Sequence, residues 1–195
     1  MQKAIFLVAA MLAALVTAAT QVSALPLVRL AQADAIHRGE GRSALATSDY
    51  VKSTLMSDKF EIAAARIAQE KSRNSDVQRF AQMTIQDRGA TSDELTGILK
   101  QNAFAFTPPA ELDDEHAAMV RELGNTPATD FDRHYIQQQI DAHQSALRVQ
   151  YAYVRGGRDQ VLRQYAAETA PKIRTQLELA RKLFSAMSRI ASRAH

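Results

Sequence analysis

Two side chains combine reactive chemistry with a position that helical spacing would bury: Arg88 and His143. Positions 77, 81, 84, 88, 91, 95 and 98 recur at the three-and-four spacing of one helical face, which places Arg88 on an apolar stripe where an unpaired charge is expensive. It needs either a buried carboxylate or a path that lets its head reach water. His143 shares a face with Ile136, Ile140 and Leu147, whereas His134, nine residues away, falls about 180° round the helix at 100° per residue. The two histidines therefore cannot act as a pair. A single histidine on an apolar face is either a hydrogen-bonded core residue, the commoner case, or a metal ligand. His37, His116 and His195 fall in a linker, a connection and a chain end, and are read as incidental.

Other chemistries are removed by what the sequence omits. No Gly-x-Ser-x-Gly elbow is present, and Gly39-Glu40-Gly41 and Gly156-Gly157 do not make a phosphate loop, so neither an acyl-transfer nucleophile nor a nucleotide site is indicated. With no cysteine, disulfides, thiolate metal sites and iron–sulfur clusters are excluded, although the compartment is left open. Glu111, Asp113, Asp114 and Glu115 lack the alternate spacing and glycine of a calcium loop and are expected to form a solvated surface. A net charge of +3, from 24 basic and 21 acidic side chains, gives no reason to expect nucleic acid as a partner.

The chain has 195 residues, 46% of them apolar and 23% charged, which suits one globular domain behind a leader. Lys3 precedes the apolar run Ala4 to Ala19, and Val22-Ser23-Ala24 offers small residues for cleavage, so 1–24 reads as a signal peptide cut after Ala24. The rival is a retained anchor, against which the run is shorter than the roughly 20 residues a bilayer requires. The stretch 25–47, with Pro26, Gly39 and Gly41, reads as a flexible linker to a helical domain at 48–193.

Four long helices are expected in that domain, with no period-two strand pattern anywhere. The first runs from Asp49 to Arg73, capped by Ser48. The second opens at a Ser75/Gln78 capping box, carries Val77, Phe80, Ala81, Thr84, Leu95, Ile98 and Leu99 on one stripe, and ends near Asn102. So short a turn between them makes them antiparallel. Glu111 to Leu123 reads as a short crossover helix stopping at Gly124-Asn125. Thr129 is expected to cap the third long helix, whose face carries Ile136, Ile140, His143, Leu147 and Val154 and which Gly156-Gly157 ends. In the last, Pro171 predicts a kink or a fresh start, beyond which Ile173, Leu177, Ala180, Phe184, Met187 and Ala191 form one row.

The segments NSDVQRFAQMTIQD (Asn74 to Asp87) and FDRHYIQQQIDAH (Phe131 to His143), together with Phe60-Glu61 and Ala170-Pro171, resemble the ferritin-like family of exported bacterial proteins catalogued as domain of unknown function 4142 (DUF4142). The resemblance covers about Ser48 to Phe184. It implies an all-α, ferritin-like antiparallel four-helix bundle with a short crossover helix, an exported protein of the periplasm or cell envelope, and no established reaction. Ferritin-like bundles hold metal pairs with inward carboxylates and histidines, commonly a glutamate with a histidine three residues on. That spacing is missing here.

The positions that the resemblance implies as metal candidates are Glu61, Asp87 and His143. Where the family's pattern places histidines, this chain has Arg88 and Gln176. Arginine presents only donors and keeps its charge, so it would repel a cation. The expectation is then an ion pair between Arg88 and an inward carboxylate such as Glu61, in the volume where relatives could hold metal. The leading function class is a non-catalytic envelope bundle with a structural, stress-related or interaction role, without a cofactor, its partner a protein or a second copy. The alternatives are a divergent di-metal (Fe or Mn) bundle or oxidoreductase, and a peripheral membrane binder. The third uses the basic last helix, where Lys172, Arg174, Arg181, Lys182, Arg189 and Arg193 face only Glu178.

Overall fold

The computed structural model describes residues 45–193, which form α1 (Thr47–Lys71), α2 (Ser75–Gln101), α3 (Asp114–Asn125), α4 (Ala128–Gly156) and α5 (Gln160–Arg193) and no strand. The signal peptide expected at 1–24, nearly all of the 25–47 linker, His37, His195 and the side chains of Ala191 and Arg193 lie outside the described residues. No helix among the described residues is long and apolar enough to cross a membrane.

The contacts between helices fix the topology. Tyr50 near the start of α1 meets Gln150 and Tyr153 near the end of α4, while Lys71 at the end of α1 lies over Phe131 at the start of α4. Those two helices are therefore antiparallel. Arg88 and Thr91 of α2 meet Gln176 and Tyr165 of α5 in falling order, which makes that pair antiparallel as well. Tight turns at Ser72–Asn74 and Gly157–Asp159 close the α1–α2 and α4–α5 hairpins. Consequently α2 and α4 run in the same sense, and the chain between them must travel the length of the bundle. Residues 102–127 do so, with α3 packed on α1 and α4. A four-helix bundle with one long crossover is the ferritin-like arrangement.

Several helix ends differ from the sequence reading, each for a local reason. The first helix starts one residue before Ser48, with Ala46 as N-cap and no side-chain cap, because the Thr47 hydroxyl is bonded to Tyr153 Oη at 2.9 Å and ties the entry to α4. It stops at Lys71, not Arg73, where Ser72 turns extended. Asn74, not Ser75, caps α2, its Oδ1 accepting from Asp76 N at 2.9 Å, while Gln78 reaches back to the Ser72 carbonyl. The crossover helix begins at Asp114, with Asp113 as cap, and runs through Gly124 because Lys71 Nζ donates to the Gly124 and Thr126 carbonyls at 2.6 and 2.9 Å. Pro127 rather than Thr129 precedes α4, its fixed φ already suited to the turn. No fresh start occurs at Pro171: α5 is one helix through it. Pro171 and Ala167 are both exposed, so the carbonyl that loses its partner faces water.

The core is in two apolar parts. One gathers Ala64, Phe80, Leu123, Tyr135, Ile136 and Ile173 with their neighbours. The other gathers Tyr50, Val51, Leu95, Leu99, Tyr153, Leu162 and Tyr165. Here Tyr50 and Tyr153 stack at 3.9 Å, and Gly157 permits the packing: a Cβ there would come within 2.5 Å of the Tyr153 ring. With the ring held by its stacking and by Thr47, it has little room to yield. Gly157→Ala is expected to cost about 1–3 kcal/mol, seen as a lower urea midpoint, and an unchanged midpoint would mean that the ring can swing aside.

Candidate functional site

Between the two apolar parts lies a belt of buried polar side chains, to which every long helix contributes. On α1 the stripe Thr54, Asp58, Glu61, Ala65 and Ala68 faces inward, so Asp58 and Glu61 are carried into the core by helical spacing alone. Thr84, Arg88 and Thr91 do the same on α2, Gln139, His143 and Gln150 on α4, and Thr169 and Gln176 on α5.

Arg88 is the centre of the belt. Its side chain is 2% exposed, Nε donates to Glu61 Oε2 at 2.8 Å, and a terminal nitrogen donates to Gln176 Oε1 at 2.7 Å. Its other terminal nitrogen lies 3.8 Å from Asp58 Oδ1. Burial alone would lower the guanidinium's pKa, but Glu61 and Asp58 outweigh it and the net direction is upward, so the charge is permanent. Glu61 is fully buried, takes a second bond from Ser57 at 3.0 Å, and lies 3.4 Å from His143 Nδ1. The structure thus brings Glu61, Arg88 and His143 together.

His143 is held by its own helix. Nδ1 is 2.7 Å from the Gln139 carbonyl and Nε2 is 3.2 Å from Gln176 Oε1. Burial pushes the imidazole below its ordinary pKa, against the pull of Glu61, so it is neutral at pH 7. The shorter contact places the single proton on Nδ1. Asp87 is placed differently from the other candidates. It precedes its neighbour Arg88 by a 100° turn, sits at an exposed position, and reaches the belt only as the acceptor of Gln176 Nε2 at 2.5 Å.

Asp58 is the residue that sequence reading missed, although its spacing from Thr54 and Glu61 marks it. Oδ2 accepts from Thr91 at 3.2 Å and Ser92 at 3.0 Å. Burial raises its pKa to about 7, the pull of Arg88 notwithstanding and with Glu61 adding to the rise. In the unfolded chain its pKa is about 3.8, so between pH 4 and 7 the folded state binds the extra proton and this group's contribution to stability falls as pH rises. An Asp58→Asn variant lacks that loss. Its stability relative to wild type is expected to improve from pH 5 to pH 8, measured as paired urea midpoints; a difference that does not change with pH would show Asp58 ionised throughout.

A di-metal centre does not fit this donor set. Where two metal ions would need converging carboxylates and imidazoles, the belt sets the Arg88 guanidinium against Glu61 and Asp58, and adds an amide and one neutral histidine whose Nδ1 is engaged. Among the described residues no cluster of three or more His, Cys, Asp or Glu could hold a metal ion. His134 lies apart, bonded to Thr126 Oγ1 at 2.8 Å, and His116 caps against Asp113. The basic residues of α5 from Lys172 to Arg189 are all exposed.

Beside the belt a cleft of about 520 Å³ opens between α1, α3 and α4, reaching in to Asp58, Arg88 and Thr169.

Fold and belt together define a ferritin-like helical bundle with an ion pair at its centre. A family model, Domain of unknown function (DUF4142), matches residues 32–183, and the chain belongs to that family. Solved structures share the fold. A DUF305 fragment from Deinococcus radiodurans is similar at a TM-score of 0.63 and 16% identity, over 71% of this chain and 95% of that one. A putative secreted protein DUF305 from Streptomyces coelicolor is similar at 0.59 and 15%, over 70% and 89%. CopM in the Cu(II)-bound form is similar at 0.62 and 16%, over 73% and 97%. Comparison with curated proteins gives no match.

Proposed function

We propose that this is an exported, periplasmic or envelope-associated bundle without catalytic activity, which acts by binding or by a structural, stress-related role. The carrying observation is the Arg88 guanidinium, bonded to Glu61 and Gln176 in the volume between the four helices where a metal pair would sit. It fills that volume with a permanent positive charge, which would repel a cation. The leader-like start and the fold shared with a putative secreted protein support export.

Elemental analysis tests this, on protein purified without chelator from iron- and manganese-supplemented cells, beside an Arg88→His, Gln176→His double variant. Metal in the double variant alone is the expected result. Near-stoichiometric metal in the wild type would overturn it and bring forward the second reading, a metal-handling bundle. That reading is favoured by Glu61 and His143, still 3.4 Å apart, and by a fold shared with CopM, whose structure is Cu(II)-bound.

A further inference from the structure

The cleft beside the belt ends on oxygen atoms that the network leaves unused. Thr169 is 2% exposed and lines the cleft, and its hydroxyl oxygen accepts no hydrogen bond. Asp58 spends Oδ2 on Thr91 and Ser92, but Oδ1 faces only the Arg88 nitrogen at 3.8 Å, beyond hydrogen-bond reach. Gln150, also on the lining, accepts one hydrogen bond from Tyr50 Oη at 2.7 Å and keeps a second lone pair. A carboxylate oxygen, a hydroxyl and an amide oxygen on the lining of one cavity call for an occupant rich in donors.

The sign of its charge follows from the surroundings. The exposed carboxylates Asp49, Asp113, Glu115 and Asp141 line the cleft against one ammonium, Lys52. Bonds from His116 hold the Asp113 carboxyl below the usual range, so it stays charged. The Arg88 charge is already engaged by Glu61 at 2.8 Å. An anion would therefore meet repulsion on entry, and a cation attraction. Between entrance and floor the walls are apolar, with Met56, Phe60, Met119 and Val149. A hydrated divalent ion has no use for such walls, whereas a small organic molecule fits both them and the volume.

We propose that this cleft binds a small primary amine with an apolar body, its ammonium on Asp58 and Thr169 and its hydrocarbon or aromatic part along Met56, Phe60 and Met119. An ammonium carries three donors and no acceptor, which matches the free oxygens. The groups facing Asp58 are Arg88 from α2, Tyr165 from α5, and Glu61 and Tyr50 on its own helix, with Gln150 of α4 on the same cleft wall and His116 of α3 at its mouth. Of these, Arg88 favours the carboxylate and Glu61 opposes it, and a bound cation adds to the first. Binding then draws the proton off Asp58.

Isothermal titration of the purified protein with 2-phenylethylamine tests this, with 3-phenylpropanoate and calcium chloride as controls. The expected result is one-to-one binding of the amine and none of the controls, with affinity about tenfold weaker at pH 6 than at pH 8. Thr169→Val, which keeps the volume and removes the acceptor, is expected to weaken binding about fivefold, and Asp58→Asn more than that. Should Asp58→Asn fail to fold, Thr169→Val decides. The proposal is overturned by no heat at millimolar amine, by equal binding of the phenylpropanoate, by displacement of the amine by calcium, or by a folded Thr169→Val that binds as wild type does.

Discussion

Replacing Arg88 by methionine is expected to destabilise the protein by about 3–5 kcal/mol, the range for removing one partner of a buried ion pair. Glu61 has no exposed surface, and without the guanidinium its carboxylate would keep only Ser57 and the long contact to His143. The loss should be recoverable. Adding Glu61→Leu removes the stranded charge, and a buried pair exchanged for apolar groups of similar volume is commonly neutral or better. Urea denaturation of the wild type, both single variants and the double variant closes the cycle. Coupling below about 0.5 kcal/mol would show that Arg88 and Glu61 are neighbours without being partners.

Phe80→Ala should cost a similar amount, about 3–5 kcal/mol, for a different reason. Phe80 is 2% exposed and wedged between α2 and α4, its ring 6.2 Å from that of Tyr135 and 6.1 Å from His143. Truncation leaves a cavity that α2 and α4 cannot close without moving the ring that faces Glu61. At about 2–4 °C per kcal/mol for a domain of this size, the melting midpoint is expected to fall by roughly 10 °C. A fall of under 3 °C would mean that the site collapses around the missing ring.

Helix number, the antiparallel hairpins and the crossover were legible because apolar residues recur at helical spacing and because Asn74-Ser75-Asp76 and Gly156-Gly157 interrupt it. The inward position of Arg88 followed from the same arithmetic. The helix starts were less legible: Asn74, Ser75 and Asp76 are all capping residues, and the choice among them is made by the turn. At Thr47 it is made by a bond to a tyrosine 106 residues away. Asp87 comes from the resemblance alone: it stands 100° round the helix from Arg88 at an exposed position, and meets the belt only through Gln176. Asp58 was readable on the same grounds, three residues before Glu61. The Gln176 bridge was not, because nothing local in α5 states that its amide will join Arg88 and Asp87 of α2 across the core.

The Arg88 belt also bears on how the protein reaches its folded state. A bundle whose central carboxylates are balanced by a bound ion owes part of its stability to the concentration of that ion, through RT ln(1 + [L]/Kd). Here the counter-ion is part of the polypeptide. It arrives with the chain in fixed one-to-one ratio, cannot be stripped by competition, and requires no loading step after synthesis. The charge that balances Glu61 is thereby independent of whatever ions the surroundings supply.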